Sequence, residues 1–214
     1  MICLLLTDCA TTSPPALLHS GLPPLALLFF LTFAATRYGR ARKEARGLSE
    51  SRTGRRASQV IANLGIAAIC AALTRSRFTS IIDLAAIAAL AEATADTLSS
   101  EIGQAVAGPA FLITTLRRVP PGTDGAISVA GTLAGLVGAA AVAYVGLPPD
   151  SFKLLVFAAV FAASTAGLFF DSLLGATVER RGYIGNDLVN FASTAFAAAA
   201  LYPFAALAMS FVHL

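Results

Sequence analysis

Three carboxylates, Glu92, Asp96 and Glu101, fall within ten residues inside a stretch otherwise dominated by Ala, Leu and Ile. Glu92 and Asp96 are i,i+4 and share a helix face, whereas Glu101 lies roughly 140° around an ideal helix from Asp96. Acids in a hydrophobic span are costly unless they are paired, hydrated or bound to a cation. No Lys or Arg stands in the span to pair with them. The plain alternative is a pair with another helix or a solvated helix end; the chemical reading is a functional carboxylate cluster. Asp171 lies inside a second apolar run, just after Phe169-Phe170. Asn186, Asn190 and Thr194 form a polar stripe at i, i+4, i+8, and Gln59 and Asn63 repeat the spacing after Arg55-Arg56. A helix cap would explain Asn186 but not the deeper Asn190.

A further segment, Arg117-Arg118-Val119-Pro120-Pro121-Gly122-Thr123-Asp124-Gly125, runs into Ser128, Gly131 and Thr132. Arginines recognise phosphate oxygens, glycines let backbone N–H groups approach an anion, and a following helix N-terminus adds a favourable dipole. The Walker A pattern is absent, and an ordinary turn suits the segment equally well. Taken with Asp96, Glu101, Asp171 and Asp187, it matches what Mg²⁺-assisted phosphoryl transfer needs. Mg²⁺ binds through one or two carboxylates plus phosphate oxygens, and positioning does most of the catalysis. Other chemistries are disfavoured. His19 and His213 sit near opposite ends, away from the acids. Cys3, Cys9 and Cys70 show no C-x-x-C spacing, so neither a disulfide framework nor a zinc site is supported. A net charge of +3 is too small to suggest nucleic acid.

The elements that must position these groups follow from composition. Of 214 residues 57% are hydrophobic and 13% charged, with mean hydropathy +0.75; soluble domains carry about 25% charged residues. The chain reads as an all-α, polytopic membrane helical bundle of about six transmembrane helices, each needing roughly 20 apolar residues. The expected spans are 22–37, 57–74, 79–98, 126–147, 152–177 and 187–213, with breaks at 38–56, 75–78, 99–125, 148–151 and 178–186. Pro23-Pro24 suits the start of the first. The runs lack period-2 alternation, so barrel strands are disfavoured. Residues 1–21 read as a poorly specified N-terminal segment, a weak leader or an extension. Gly131-x-x-x-Gly135 and Ala91-x-x-x-Ala95 read as helix-packing spacings.

Basic residues set orientation. Eight of the 15 crowd into positions 37–56, and the positive-inside rule puts that loop in the cytoplasm. Alternating spans then place the loop carrying Arg117 and Arg118, and Arg180-Arg181, inside as well. The unusual polar groups all fall at the inner ends of their spans. A transporter is expected to spread such groups through the bilayer depth. A one-sided cluster suits an enzyme that draws a polar substrate from the cytosol and a lipid from the bilayer.

At these residues the chain resembles the integral-membrane family catalogued as domain of unknown function number 92, which includes plant phytyl-phosphate kinase. The matching segments are Gly54 to Asn63, Ala95 to Gly103, Ile113-Thr114-Thr115, Val119 to Gly125 with Ser128 and Gly131-Thr132, Asp171 to Ala176, and Asn186 to Asn190. The resemblance covers about residues 25–210. A looser similarity links Asp96, Ser99 and Gly103, followed by Thr123-Asp124-Gly125, to the CTP-dependent polyprenol kinases, with Ser for Ala and Ala107 for the last glycine.

The resemblance implies that residues 22–214 form a membrane-embedded, prenyl-phosphate-kinase-like domain. It would transfer a phosphoryl group from a nucleoside triphosphate, CTP favoured, to an isoprenoid lipid phosphate such as phytyl or geranylgeranyl phosphate, with Mg²⁺. On this reading Asp96 and Glu101 are metal or nucleotide ligands and Asp171 a second metal-site carboxylate. Arg117, Arg118, Gly122, Thr123, Asp124, Gly125 and Ser128 hold phosphates. Asn186, Asp187 and Asn190 orient the acceptor phosphate, and Arg55, Arg56, Gln59 and Asn63 anchor the lipid headgroup. The site would face the cytoplasm of a bacterial plasma membrane. The rival readings are a transporter or flippase of an anionic lipid or ion, and a nucleotidyltransferase acting on a lipid phosphate.

Overall fold

A computed structural model describes residues 21–48, 57–74, 81–147 and 153–210. Its helices are α1 Leu22–Arg37, α2 Arg40–Ala45, α3 Ala57–Leu73, α4 Ile81–Ala105, α5 Val129–Gly146, α6 Lys153–Leu174 and α7 Asn186–Ser210. The expected apolar runs account for six of them. Pro23 and Pro24 occupy the first turn of α1, where a missing N–H costs nothing. Three helical stretches, Val129–Gly146, Leu154–Glu179 and Asn186–Leu207, are long and apolar enough to cross a membrane, and α1 and α3 are shorter apolar helices. α4 has the length but carries Asp83, Glu92, Asp96 and Glu101. The fold is an all-α membrane bundle with one small sheet.

α4 is the hub. It packs against α1, α3, α5, α6 and α7, which surround it in the order α3, α7, α6, α5, α1. Apart from the buried Asp83, its N-terminal half is small and apolar: Ala85 to Ala91 are all buried, in one core with Leu25, Leu28, Leu64, Val142, Val160 and Leu201. Close approach to α5 depends on glycine. A Cβ at Gly135 would meet the Ala95 carbonyl at 2.8 Å, one at Gly138 would meet Leu98 Cδ2 at 2.8 Å, and one at Gly131 would strike the Ser99 carbonyl. The G-x-x-x-G spacing is therefore a packing seam.

Two expected breaks contain structure. Positions 99–125 were expected to be loop, yet α4 continues through Ser99, Ser100, Gly103 and Gln104 to Ala105. The apolar pattern ends where the helix leaves its apolar neighbours, not where the helix itself stops. Beyond it β1 Ala110–Leu112, β2 Arg118–Val119 and β3 Ala126–Ile127 form an antiparallel sheet in the order β2-β1-β3. Phe111 pairs with Arg118 on one side and Ile127 on the other. Strands of two or three residues are too short to carry a period.

The break at 38–56 holds α2, a short basic helix laid over the ends of two others. Arg42 donates to the Ala105 carbonyl at 2.7 Å and Arg46 to the Gln104 carbonyl at 3.1 Å, both at the end of α4. Lys43 donates to the Thr36 and Ala35 carbonyls at the end of α1 and pairs with Glu101. Helix C-termini carry unsatisfied carbonyls and partial negative charge, which cations answer. The basic segment read as an orientation signal is thus also a strap capping α1 and α4.

Candidate functional site

The alternating chain brings the C-terminal ends of α4 and α6 and the N-terminal ends of α3, α5 and α7 to one end of the bundle. A cavity of about 260 Å³ opens there. Its acidic lining is Asp96 and Glu101 from α4, Asp124 from the glycine loop, Asp171 from α6 and Glu179 beyond it. Neutral polar groups include Gln59 and Asn63 from α3, Asn186 and Asn190 from α7, and Ser99, Ser100, Ser128 and Ser172. No Lys, Arg or His appears among the described lining residues.

The glycine loop is held rigidly. Thr123 Oγ1 donates to the Pro120 carbonyl at 2.7 Å, and the Ile113 N–H donates to the Gly125 carbonyl at 3.1 Å, tying the loop to the sheet. Gly125 has φ +71, and a Cβ on it would run into the backbone of Ala176. A Cβ on Gly175 would in turn lie 2.7 Å from Gly125 N. The loop therefore packs backbone to backbone on residues Gly175–Glu179, which form a π-helical turn extending α6. Such turns are frequent at functional sites. This one carries Glu179 round to the cavity, into the electrostatic neighbourhood of Asp124 and Asp96.

Ser128 lines the cavity and caps α5, accepting from Gly131 N at 3.1 Å. The N-terminus of α7 contributes Asn186. Two helix N-termini thus abut a cavity whose charged side chains, among the described residues, are all acidic. Asn63 and Asn190 face each other across α3 and α7: Asn190 Nδ2 donates to Asn63 Oδ1 at 3.4 Å, and Asn63 donates to the Gln59 carbonyl at 2.8 Å. The stripe is partly a helix-to-helix fastening.

The expected residues divide by position. Asp96, Glu101, Asp171, Gly122, Thr123, Asp124, Gly125, Ser128, Gln59, Asn63, Asn186 and Asn190 line one cavity. Arg117 and Arg118 do not: they lie exposed at the hairpin between β1 and β2 and on β2. Asp187 is half-buried outside the lining. Arg55 and Arg56 fall outside the described residues. Glu101, expected among the metal ligands, is paired with Lys43, an interhelical pair of the kind the plain reading named. The reading of the sequence left out Glu179, although Asp171, Gly175 and Glu179 have the same i, i+4, i+8 spacing as the asparagine stripe. It also left Glu92 out of the site.

Glu92 lies one turn below Asp96, 1% exposed, among Asp171, Asp96 and Ser193. Asp171 Oδ2 and Glu92 Oε1 are buried with no hydrogen-bond partner. Among the described residues no three His, Cys, Asp or Glu side chains stand together as a ready metal cage. Mg²⁺ rarely uses such a cage; it takes one or two carboxylates and completes its shell with substrate oxygens and water. Carboxylates from α4 and α6 with no Lys, Arg or His among the described lining residues, one of them with an orphaned buried oxygen, fit that ion.

The profile of the family described as Integral membrane protein DUF92 matches residues 12–198. The uncharacterised membrane protein sll0875 of Synechocystis is 36% identical over 178 residues, 80% of this chain and 68% of that one. Protein VTE6, chloroplastic, of Arabidopsis thaliana is 33% identical over 186 residues, 80% of this chain and 54% of that one. The uncharacterised membrane protein MJ0933 of Methanocaldococcus jannaschii is 37% identical over 171 residues, 79% of this chain and 70% of that one. The matches thus span about half to two thirds of these relatives' lengths. No solved structure matches the chain. With its profile covering most of the sequence, including every segment that builds the cavity, the chain belongs to the DUF92 family of integral membrane proteins.

Proposed function

We propose that the chain is a membrane kinase that transfers the terminal phosphoryl group of a nucleoside triphosphate, CTP favoured, to a prenyl monophosphate such as phytyl or geranylgeranyl phosphate. An acceptor phosphate oxygen attacks the γ-phosphorus, the bond to the β–γ bridging oxygen breaks, and a prenyl diphosphate and a nucleoside diphosphate leave. The observation that carries this reading is a cavity at one end of the bundle, lined by carboxylates and a backbone-locked glycine loop and closed below by the apolar core around Ala85 to Ala91. The resemblance to the family of phytyl-phosphate kinase supports the choice of acceptor. The basic strap beside the cavity supports a cytoplasmic opening in a bacterial plasma membrane.

Charge decides what else is needed. Phosphates cannot sit beside Asp96, Asp124, Asp171 and Glu179 without a cation, and no basic side chain is among the described lining residues. Asp96 and Asp171 would hold Mg²⁺, which when bound supplies charge neutralisation on phosphate oxygens. Backbone N–H groups of the Gly122–Gly125 loop and the first turn of α5 would position the donor phosphates. Gln59, Asn63, Asn186 and Asn190 would orient the acceptor phosphate. At about 260 Å³ the cavity is smaller than the roughly 300–1,000 Å³ of sites that enclose a whole drug-sized ligand. The prenyl chain would stay in the bilayer, along the flank where Ile61 and Leu188 are exposed.

Glu92 gives the transporter reading its one specific support, since it lies at mid-length of α4. The apolar packing below it counts against a path continuing outward. The test uses the full chain in nanodiscs with phytyl or geranylgeranyl phosphate and γ-labelled CTP, ATP, GTP or UTP in turn. Labelled prenyl diphosphate with release of nucleoside diphosphate is the expected result. Release of pyrophosphate instead assigns a nucleotidyltransferase. No transfer from any donor by the folded protein sinks the enzyme reading.

A further inference from the structure

Beneath the proposed phosphate site, where α4, α6 and α7 meet, lies a cluster that the kinase reading uses only through Asp171. Glu92 is fully enclosed, and its Oε1 has no hydrogen-bond partner; nor has Asp171 Oδ2. The two carboxylates are electrostatic neighbours, and the Ser193 hydroxyl stands beside both. That hydroxyl donates its proton to the Asn190 carbonyl at 3.0 Å. A hydroxyl has one proton to give, so Ser193 cannot serve the Asn190 carbonyl and both carboxylates at once. The acceptors therefore outnumber the protons, and two buried carboxylate oxygens are left over. The α6 backbone leaves room for them: a Cβ at Gly167 would lie 2.6 Å from Glu92 Cγ and 2.8 Å from Ala197 Cβ. Among the described residues, the ion pairs are Lys43–Glu101 and Arg40–Glu44, both at the strap.

We propose that Glu92, Asp171 and Ser193 form a binding site for a dehydrated hard metal cation at the floor of the cavity. Its protein donors are all oxygen, which suits alkali and alkaline-earth ions over thiophilic or nitrogen-seeking metals. Mg²⁺ gives up water reluctantly, so the enclosed floor, where Glu92 and Ser193 are almost unexposed, suits Na⁺ or Ca²⁺, and Mg²⁺ belongs with the phosphates above. The ion answers two carboxylates that form no ion pair among the described residues and ties α4, α6 and α7 together under the site. This inference goes beyond the kinase reading and does not rest on it.

The test takes the full chain in detergent with neither nucleotide nor lipid phosphate, in N-methylglucamine chloride. Thermal unfolding is followed by circular dichroism while NaCl, KCl, CaCl₂ or MgCl₂ replaces the inert salt at constant ionic strength. The expected result is a midpoint rising by about 5 °C when Na⁺ or Ca²⁺ reaches a hundred times its Kd. Glu92→Gln should lose the response, Ser193→Ala should weaken the apparent affinity at least tenfold, and Glu44→Gln on the strap surface should respond as wild type. No cation-specific shift, or an unchanged response in Glu92→Gln, overturns the proposal. If Glu92→Gln does not fold, an unchanged apparent affinity in Ser193→Ala overturns it. A Glu92-dependent shift in a protein that transfers no phosphate sinks the kinase reading alone.

Discussion

Two buried glutamates nine residues apart on α4 meet opposite solutions. Glu101, near the strap, is answered by the chain itself: Lys43 reaches it while also capping α1, and Arg42 and Arg46 close the end of the same helix. Glu92 lies about 13 Å deeper along the helix axis, with Asp171 and Asp96 as neighbours and no ion pair of its own among the described residues. The same residue type on the same helix is structural in one place and unfinished in the other. A carboxylate whose charge the fold compensates contributes to the architecture. One left with an empty oxygen points to something that arrives from outside.

The largest effect should come from removing the answer. Lys43→Ala leaves Glu101 buried without a counter-ion and uncaps α1, and Glu101→Gln leaves Lys43 in the same position. Breaking a buried pair from one side costs about 3–5 kcal/mol, so both variants should show a strongly lowered unfolding midpoint in detergent. The double replacement Lys43→Met with Glu101→Leu should recover most of the loss, because an apolar pair of similar volume is often neutral. Glu92→Gln, measured in cation-free buffer, should be neutral or stabilising. Equal losses at Glu92 and Glu101 would erase the contrast.

Asp171→Asn should invert the pattern, keeping the fold and losing function. Its neighbours are acids, so removing its charge relieves repulsion, and stability in cation-free buffer should hold or rise. Phosphoryl transfer should fall at least about a hundredfold, the scale for a group that stabilises charge in a closed site. A variant that loses stability and keeps turnover would make Asp171 architectural, like Glu101. Between these cases stands Gly125→Ala. It forces a side chain into a left-handed backbone and against the Ala176 backbone, with strain of about 1–3 kcal/mol. Because the loop and the π turn carry Asp124 and Glu179, turnover should fall with the midpoint.

What was legible in the sequence follows the same division. Helix limits were readable because lipid-facing runs of Ala, Leu and Phe end at Pro23-Pro24, at Gly or at charge. The convergence on one end was readable because alternating spans put Asn63, Asp96, Asp171 and Asn190 at the same depth. The strap was not: Lys43, Arg42 and Arg46 look like orientation charges until the carbonyls at Thr36, Ala105 and Gln104 are known to lie beneath them. The continuation of α4 was hidden because Ser99, Ser100 and Gly103 carry no apolar period. Glu179 was hidden because it follows the apolar run and precedes Arg180-Arg181, which draw attention to charge rather than to the stripe begun by Asp171.

The smallest expected effect bears on the whole contrast. Arg117 and Arg118 are the residues a phosphate site would recruit, yet both are exposed on the hairpin, outside the cavity lining. If the carboxylates at the floor are answered only by a cation from solution, these arginines are dispensable. Arg117→Ala and Arg118→Ala, singly and together, should then change the unfolding free energy by no more than the about 0.5 kcal/mol typical of surface sites, and kcat/KM by less than about threefold. That figure is roughly what a solvent-exposed charge contributes. A fall of about a hundredfold or more, with the fold intact, would mean the hairpin turns inward when substrate binds. The protein would then supply its own cations to the site, and the distinction between Glu101 and the Glu92–Asp171 pair would hold only before substrate arrives.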